Sequence, residues 1–182
     1  MVQNIHETTM QMKATLKDYE ELASTDPLTK VFNHGRIETE MRNAIEKYRK
    51  EGTPTWLMIL DIDHFKNVND RYGHAVGDTT LVNIANMIKD TLGDKNTEVG
   101  RWGGEEFAVV VYDETEGSVR ELAEKLRRNI EASPFEIIGA LTVSIGVTEL
   151  RSEDNTPESW FARADHSLYT AKSEGRNKVC FE

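Results

Sequence analysis

The stretch Arg101-Trp102-Gly103-Gly104-Glu105-Glu106-Phe107 constrains this chain more than any other. Two adjacent glycines suit a two-residue hairpin turn, because such turns favour positive φ, which glycine adopts without steric cost. Two carboxylates follow at once. Behind them runs Phe107-Ala108-Val109-Val110-Val111, which reads as a strand buried on both faces. The expected hairpin therefore carries paired acids out of a packed sheet, and its bare backbone at Gly103 and Gly104 lets a phosphate chain come close.

A second acidic pair lies upstream. Trp56-Leu57-Met58-Ile59-Leu60 reads as a buried strand, and it ends in Asp61-Ile62-Asp63. Acids at a strand end suit a hard cation with oxygen ligands, such as Mg²⁺. If this strand neighbours the hairpin, Asp61 and Glu105 reach the same ion. Taken alone, either pair reads equally as solvated surface that ends a strand or solubilises a turn.

Helical periodicity marks the rest. Ile37, Met41, Ala44, Ile45 and Tyr48 recur at 3.6 spacing, as do Leu81, Ile84, Ala85, Ile88 and Leu92. Val119, Leu122, Ala123, Leu126 and Ile130 mark another helix, and Trp160, Ala164, Leu168 and Ala171 the last. Phe65 to Tyr72 reads as a short helical segment. Leu141, Val143, Ile145 and Val147 alternate with Thr142, Ser144 and Gly146, giving a strand with one core face and one small or polar face. Val179 to Phe181 is expected to add an edge strand. Helices alternate with strands around a central hairpin, so the fold expected is α+β: a mostly antiparallel sheet wrapped by helices.

Residues 1 to 23 form a separate segment. Val2, Thr9, Leu16 and Ala23 share one heptad position, and Ile5, Met12 and Tyr19 share its partner. The segment reads as a weak coiled coil or as an amphipathic helix docked on its own domain. Asp26-Pro27 breaks it, which leaves residues 24 to 182 as one domain. Acids outnumber Lys and Arg by 32 to 22, a formal charge of −10, which argues against a nucleic-acid-binding surface. The single cysteine, Cys180, excludes an internal disulfide and fits a reducing cytoplasm. No run reaches transmembrane length, so no direct membrane contact is expected.

Several motifs stand in fixed order. The hairpin reads Gly103-Gly104-Glu105-Glu106-Phe107. Upstream stands Asp61-Ile62-Asp63-His64-Phe65-Lys66-Asn67-Val68-Asn69-Asp70-Arg71-Tyr72-Gly73-His74, followed by Gly77-Asp78 and Leu81. Asp26-Pro27-Leu28-Thr29 with Asn33 opens the run, and Ala171-Lys172-Ser173-Glu174-Gly175-Arg176-Asn177 closes it. Over about residues 23 to 182 the chain resembles the GGDEF family of diguanylate cyclases, in its GGEEF variant.

That resemblance implies a fold like the nucleotide cyclases and polymerase palms. It implies condensation of two GTP into cyclic di-GMP with release of two pyrophosphates, by attack of each 3′-hydroxyl on the other α-phosphate. Two Mg²⁺ or Mn²⁺ ions per site are implied, with Asp61, Glu105 and the Ile62 carbonyl as ligands. Glu106 serves the second ion or helps deprotonate the 3′-hydroxyl. Asp63 reads as a supporting or capping acid. Lys66, with backbone N–H groups around His64 and Phe65, meets the β and γ phosphates. Lys172 and Arg176, one helical turn apart and so on one helix face, meet the terminal phosphates.

Asn69 and Asp78 match the guanine-reading pair, and Leu28, Phe65 and Leu81 wall the base. A carboxylate at 78 accepts from guanine N1–H and its amino group and repels the N1 lone pair of adenine, which predicts GTP over ATP. Since the product has two halves, the resemblance implies a homodimer, with an upstream sensor domain in a longer cytoplasmic or membrane-anchored parent. A catalytically silent module that binds GTP or cyclic di-GMP is the alternative. An RxxD feedback site would fall at Asp94-Lys95-Asn96-Thr97, where both required residues are missing. Added cyclic di-GMP should therefore give weak or no non-competitive inhibition in an initial-rate series.

Overall fold

The computed structural model describes residues 23–182, and its centre is a strand buried along its whole length, β1 (Thr55–Ile62). With β2 (Thr97–Gly103), β3 (Glu106–Tyr112), β4 (Val143–Glu149) and β5 (Val179–Phe181) it forms one sheet in the order β2-β3-β1-β4-β5. The pairs β2–β3, β3–β1 and β1–β4 are antiparallel, and only the short edge pair β4–β5 is parallel. The expected architecture is the observed one.

Among the described residues five helices cover the sheet: α1 (His34–Glu51), α2 (Phe65–Tyr72), α3 (His74–Leu92), α4 (Glu116–Ala132) and α5 (Pro157–Ser173). They divide between its faces. Met58, Leu60, Phe107, Val109 and Ile145 pack with side chains of α2, α3 and α4. Leu57, Ile59, Ala108 and Val110 pack with Ile37 and Met41 of α1 and Trp160, Ala164 and Leu168 of α5. Neighbouring strand residues point to opposite faces, so an unbroken apolar run is what a sheet covered on both sides requires. Burial of each such side chain stabilises the fold by about 1.5–3 kcal/mol.

The alternation before Val147 becomes strand only from Val143, with Leu141 buried in the preceding loop. Its small face is buried too. A Cβ at Gly146 would overlap the backbone of Ala164 and Leu168, so the lack of a side chain lets α5 lie directly on β4.

The heptad helix expected over residues 2 to 23 lies, apart from Ala23, outside the described residues. From Ser24 the chain turns at Asp26-Pro27, and Phe32 bonds both Val99 and Arg101 along the outer edge of β2. Asn33 then caps α1 with its side-chain oxygen and donates to the Ala23 carbonyl at 2.8 Å. This covers part of an edge that would otherwise offer free backbone donors.

Gly146→Ala should force α5 off the sheet. A loss of about 1–3 kcal/mol, the range for overpacked cores, is expected in urea unfolding.

Candidate active site

The stripe that faces α1 and α5 ends in acid. On β1 it runs Leu57, Ile59, Asp61; on β3 it runs Val110, Ala108, Glu106. Asp61 and Glu106 are direct cross-strand partners, so their side chains share one face. Glu105 sits beside them in the hairpin turn. Burial pushes the Asp61 carboxyl above its ordinary value, Lys172 draws it back, and the charges of Glu105 and Asp63 push it up again. Burial likewise raises Glu106, with Asp61 the next contributor and Lys172 opposing. Among the described residues, the cation bonded into this group is Lys172, whose Nζ lies 2.8 Å from Asp61 Oδ2.

The hairpin turn falls one residue later than its sequence indicates. The linking residues are Gly104 and Glu105, not the two glycines, and only Gly104 has positive φ (45°). The cause is a bulge. Arg101 pairs with Phe107 and Gly103 with Glu106, which leaves Trp102 as the extra residue. Its indole stacks on Phe161 of α5 at 4.2 Å and leans on His34 of α1 at 4.1 Å. Its carbonyl lies 2.8 Å from His34 Nδ1. The Arg101 guanidinium donates to the Gly104 carbonyl at 2.9 and 2.7 Å and reaches Asp26 at 3.3 Å. Burial raises the Asp26 carboxyl, but bonds from Thr29 and then Arg101 outweigh it and hold the group below its usual value. Trp102, His34, Phe161 and the Arg101–Asp26 pair were not assigned from sequence. The aromatic directly before the glycines was the available signal.

Of the expected base and phosphate residues, Phe65, Lys66, Asn69, Asp78 and Leu81 stand on α2 and α3. A Cβ at Gly77 would overlap Asn69 Oδ1 and come within 3.4 Å of Phe65 Cζ, so Asn69 crosses against Gly77, next to Asp78. Phe65 and Leu81 are buried in one cluster, with Leu28 packed against it. The α2 N-terminus, at His64 (φ 59°), has no side-chain cap and no acid in its first turn. Its free N–H groups and dipole favour an anion. Lys66 is exposed there and makes no ion pair among the described residues.

Lys172 and Arg176 do not share a helix face. Helix α5 ends at Ser173, and Gly175 turns the chain at φ 111°. The Arg176 N–H bonds the Ala171 carbonyl at 2.9 Å, the six-to-one bond of a Schellman cap. Glycine near the end of a helical pattern is the sequence mark of that stop, so the 3.6 spacing ended before Arg176. Asp63 is not aimed at Asp61's partners. Its oxygens accept from Thr142, Ser144 and the Asn177 N–H at 2.7, 2.7 and 3.0 Å.

A cavity of about 260 Å³ touches Asp63 and His64 but none of the other expected residues. The donors suit a hard divalent cation: they are carboxylate oxygens, crowded, partly buried and short of positive charge. Among the described residues no three Asp, Glu, His or Cys side chains close around an ion by themselves.

The sheet and its carboxylate hairpin have the palm-like fold of the solved GGDEF cyclase domains. Residues 23–178 match the family model described as "Diguanylate cyclase, GGDEF domain", and the chain belongs to that family. It is 35% identical over 171 residues to a probable diguanylate cyclase, DgcT, of Escherichia coli, covering 91% of this chain and 37% of that one. It is 34% identical over 164 residues to the response regulator PleD of Caulobacter vibrioides, covering 87% and 36%. The chain thus spans little more than a third of these relatives. The coiled coil and GGDEF domain of DgcB from Caulobacter crescentus, solved with c-di-GMP, superimposes with a TM-score of 0.90 at 29% identity, covering 100% of this chain and 97% of that one.

Glu106→Gln should raise the melting temperature at pH 7 in metal-free buffer. Its folded-state proton affinity exceeds that of the unfolded chain, so ionisation costs stability as pH rises above the ordinary glutamate value. The difference between variant and wild type should vanish below about pH 4, where the unfolded group is protonated.

Proposed function

We propose that residues 24–182 are a diguanylate cyclase domain that condenses two GTP into cyclic di-GMP and two pyrophosphates, in a homodimer that faces two sites across a two-fold axis. The observation that carries this reading is the placement of Asp61 opposite Glu106 with Glu105 beside them, and with Lys172 bonded to Asp61. Asp61, Glu105, Glu106 and the Ile62 carbonyl would hold two Mg²⁺ or Mn²⁺ ions. When bound, these supply Lewis acidity at the reacting phosphate and lower the pKa of the attacking hydroxyl.

The chain's own groups do the rest. Asp78 accepts from guanine N1–H and its amino group, while Asn69, braced on Gly77, meets the same base. Leu28, Phe65 and Leu81 support the ring. The α2 N–H groups around His64 and Phe65, with Lys66 and Arg176, neutralise the β and γ phosphates. Lys172, which bonds Asp61 at 2.8 Å, would meet the terminal phosphates. Glu106, whose burial strengthens its hold on a proton, accepts the 3′-hydroxyl proton or helps hold the second ion. A Cβ at Gly103 would meet nothing within 4 Å. The protein itself does not require glycine there, which supports close passage of the α-phosphate and ribose.

We further propose that the segment 1–23 helps to bring two copies together below an upstream sensor domain, and that the site is cytoplasmic, where GTP is available.

The test is incubation with GTP and Mg²⁺. Cyclic di-GMP should form, ATP should not substitute, and Glu106→Ala should lower the rate by about 10²-fold or more. Gly103→Ala should keep wild-type stability to within about 0.5 kcal/mol while losing turnover. GTP binding without product would instead identify a silent nucleotide-binding module.

A further inference from the structure

Helix α4 packs on the sheet face opposite α5, through Val119, Leu122, Ala123, Leu126 and Ile130. One of its side chains reaches out of that packing towards the end of the site. Arg127 Nη1 donates to Asn177 Oδ1 at 2.7 Å and to Glu131 Oε2 at 2.7 Å, while Nη2 donates to Glu124 at 2.8 Å. Asn177 closes the ring by donating Nδ2 to Glu131 Oε1 at 2.7 Å. Arg127 is only 12% exposed, so the ring is partly shielded from water.

Asn177 is held on its other side as well. Its backbone N–H donates to Asp63, which Thr142 and Ser144 fix in turn. Between these two anchors the backbone takes a conformation it would not choose alone. Arg176 and Asn177 are consecutive non-glycine residues in the left-handed region, at φ 64° and 48°. Such geometry persists only where its surroundings impose it. Arg176 is exposed and makes no ion pair among the described residues.

We propose that Arg127 is a positioning residue for the terminal-phosphate end of the nucleotide site: by clamping Asn177 from α4 it fixes the left-handed Arg176–Asn177 pair and so the guanidinium of Arg176. The inference rests on the reading that a nucleoside triphosphate binds here. Arg127 touches no substrate in this scheme. Its planar fork is what the ring needs, since one guanidinium meets Asn177, Glu131 and Glu124 in a fixed geometry that an ammonium cannot reproduce. Helix α4 keeps its apolar contacts without it, so its loss falls on the loop rather than on the core.

Arg127→Lys keeps the charge and removes the fork. Calorimetric titration of wild type and variant with GTP and, separately, with guanosine tests the idea. GTP should bind about tenfold more weakly to the variant, the scale expected when a supporting partner is lost, while guanosine binding is unchanged. KM for GTP should rise more than kcat falls. Asn177→Asp, which tolerates positive φ but sets a carboxylate against Glu131, should give the same phosphate-selective loss, and it decides the matter if Arg127→Lys does not fold. Equal GTP affinity in variants and wild type would overturn the proposal. So would an equal loss for GTP and guanosine, which is the mark of a merely structural role. Failure of the wild type itself to bind GTP would overturn the nucleotide reading of the site, and the proposal with it.

Discussion

Crowding of carboxylates at the end of a buried strand is the constraint around which this molecule is arranged. β1 is covered on both faces, yet its stripe towards α5 ends in Asp61, opposite Glu106 and near Glu105. Like charges in a partly desolvated place raise one another's proton affinity. A fold that keeps them there must supply positive charge. Within the described chain that charge is Lys172, delivered from the last turn of α5. The close seating of α5 on β4, made by the absence of a Cβ at Gly146, is what brings that ammonium within reach.

The hairpin is held rather than left to hang. Trp102 is squeezed out as a bulge and caught between His34 and Phe161, one from each helix on that face. Arg101 binds the Gly104 carbonyl and is itself tied to Asp26, at the entry to the domain. Two residues that carry no chemistry thereby set the angle at which Glu105 and Glu106 leave the sheet. Side chains locked by packing and by charged bonds can hold a site to the tolerance that phosphoryl chemistry needs.

Much of this was legible in the residues. The unbroken apolar runs at 56–60 and 107–111 could only be interior strands, and the 3.6 spacings located the helices. Motif order singled out Asp61, Glu105 and Glu106, which the fold brings together, and Asn69 and Gly77, which meet between α2 and α3. What was not legible depended on contacts distant in sequence. The turn shifted by one residue because the bulge at Trp102 is stabilised by α1 and α5, which no local pattern records. Arg176 left the helix face because a cap bond to Ala171 outweighed a periodicity that Gly175 had already ended. Arg127 looked like one more charged residue on a solvated helix, and its partner lies fifty positions further on.

The corner where Asn69 leans on Gly77 has an evolutionary consequence. The groups proposed to read the base stand on α2 and α3, whereas the acids stand on β1 and the hairpin. These are distinct supports, joined by the short link Asp63-His64 and through the core. On the proposed reading, substitutions at 69 or 78 change which nucleobase is admitted without touching Asp61, Glu105 or Glu106, so a lineage built on this scaffold could change its alphabet while keeping its chemistry.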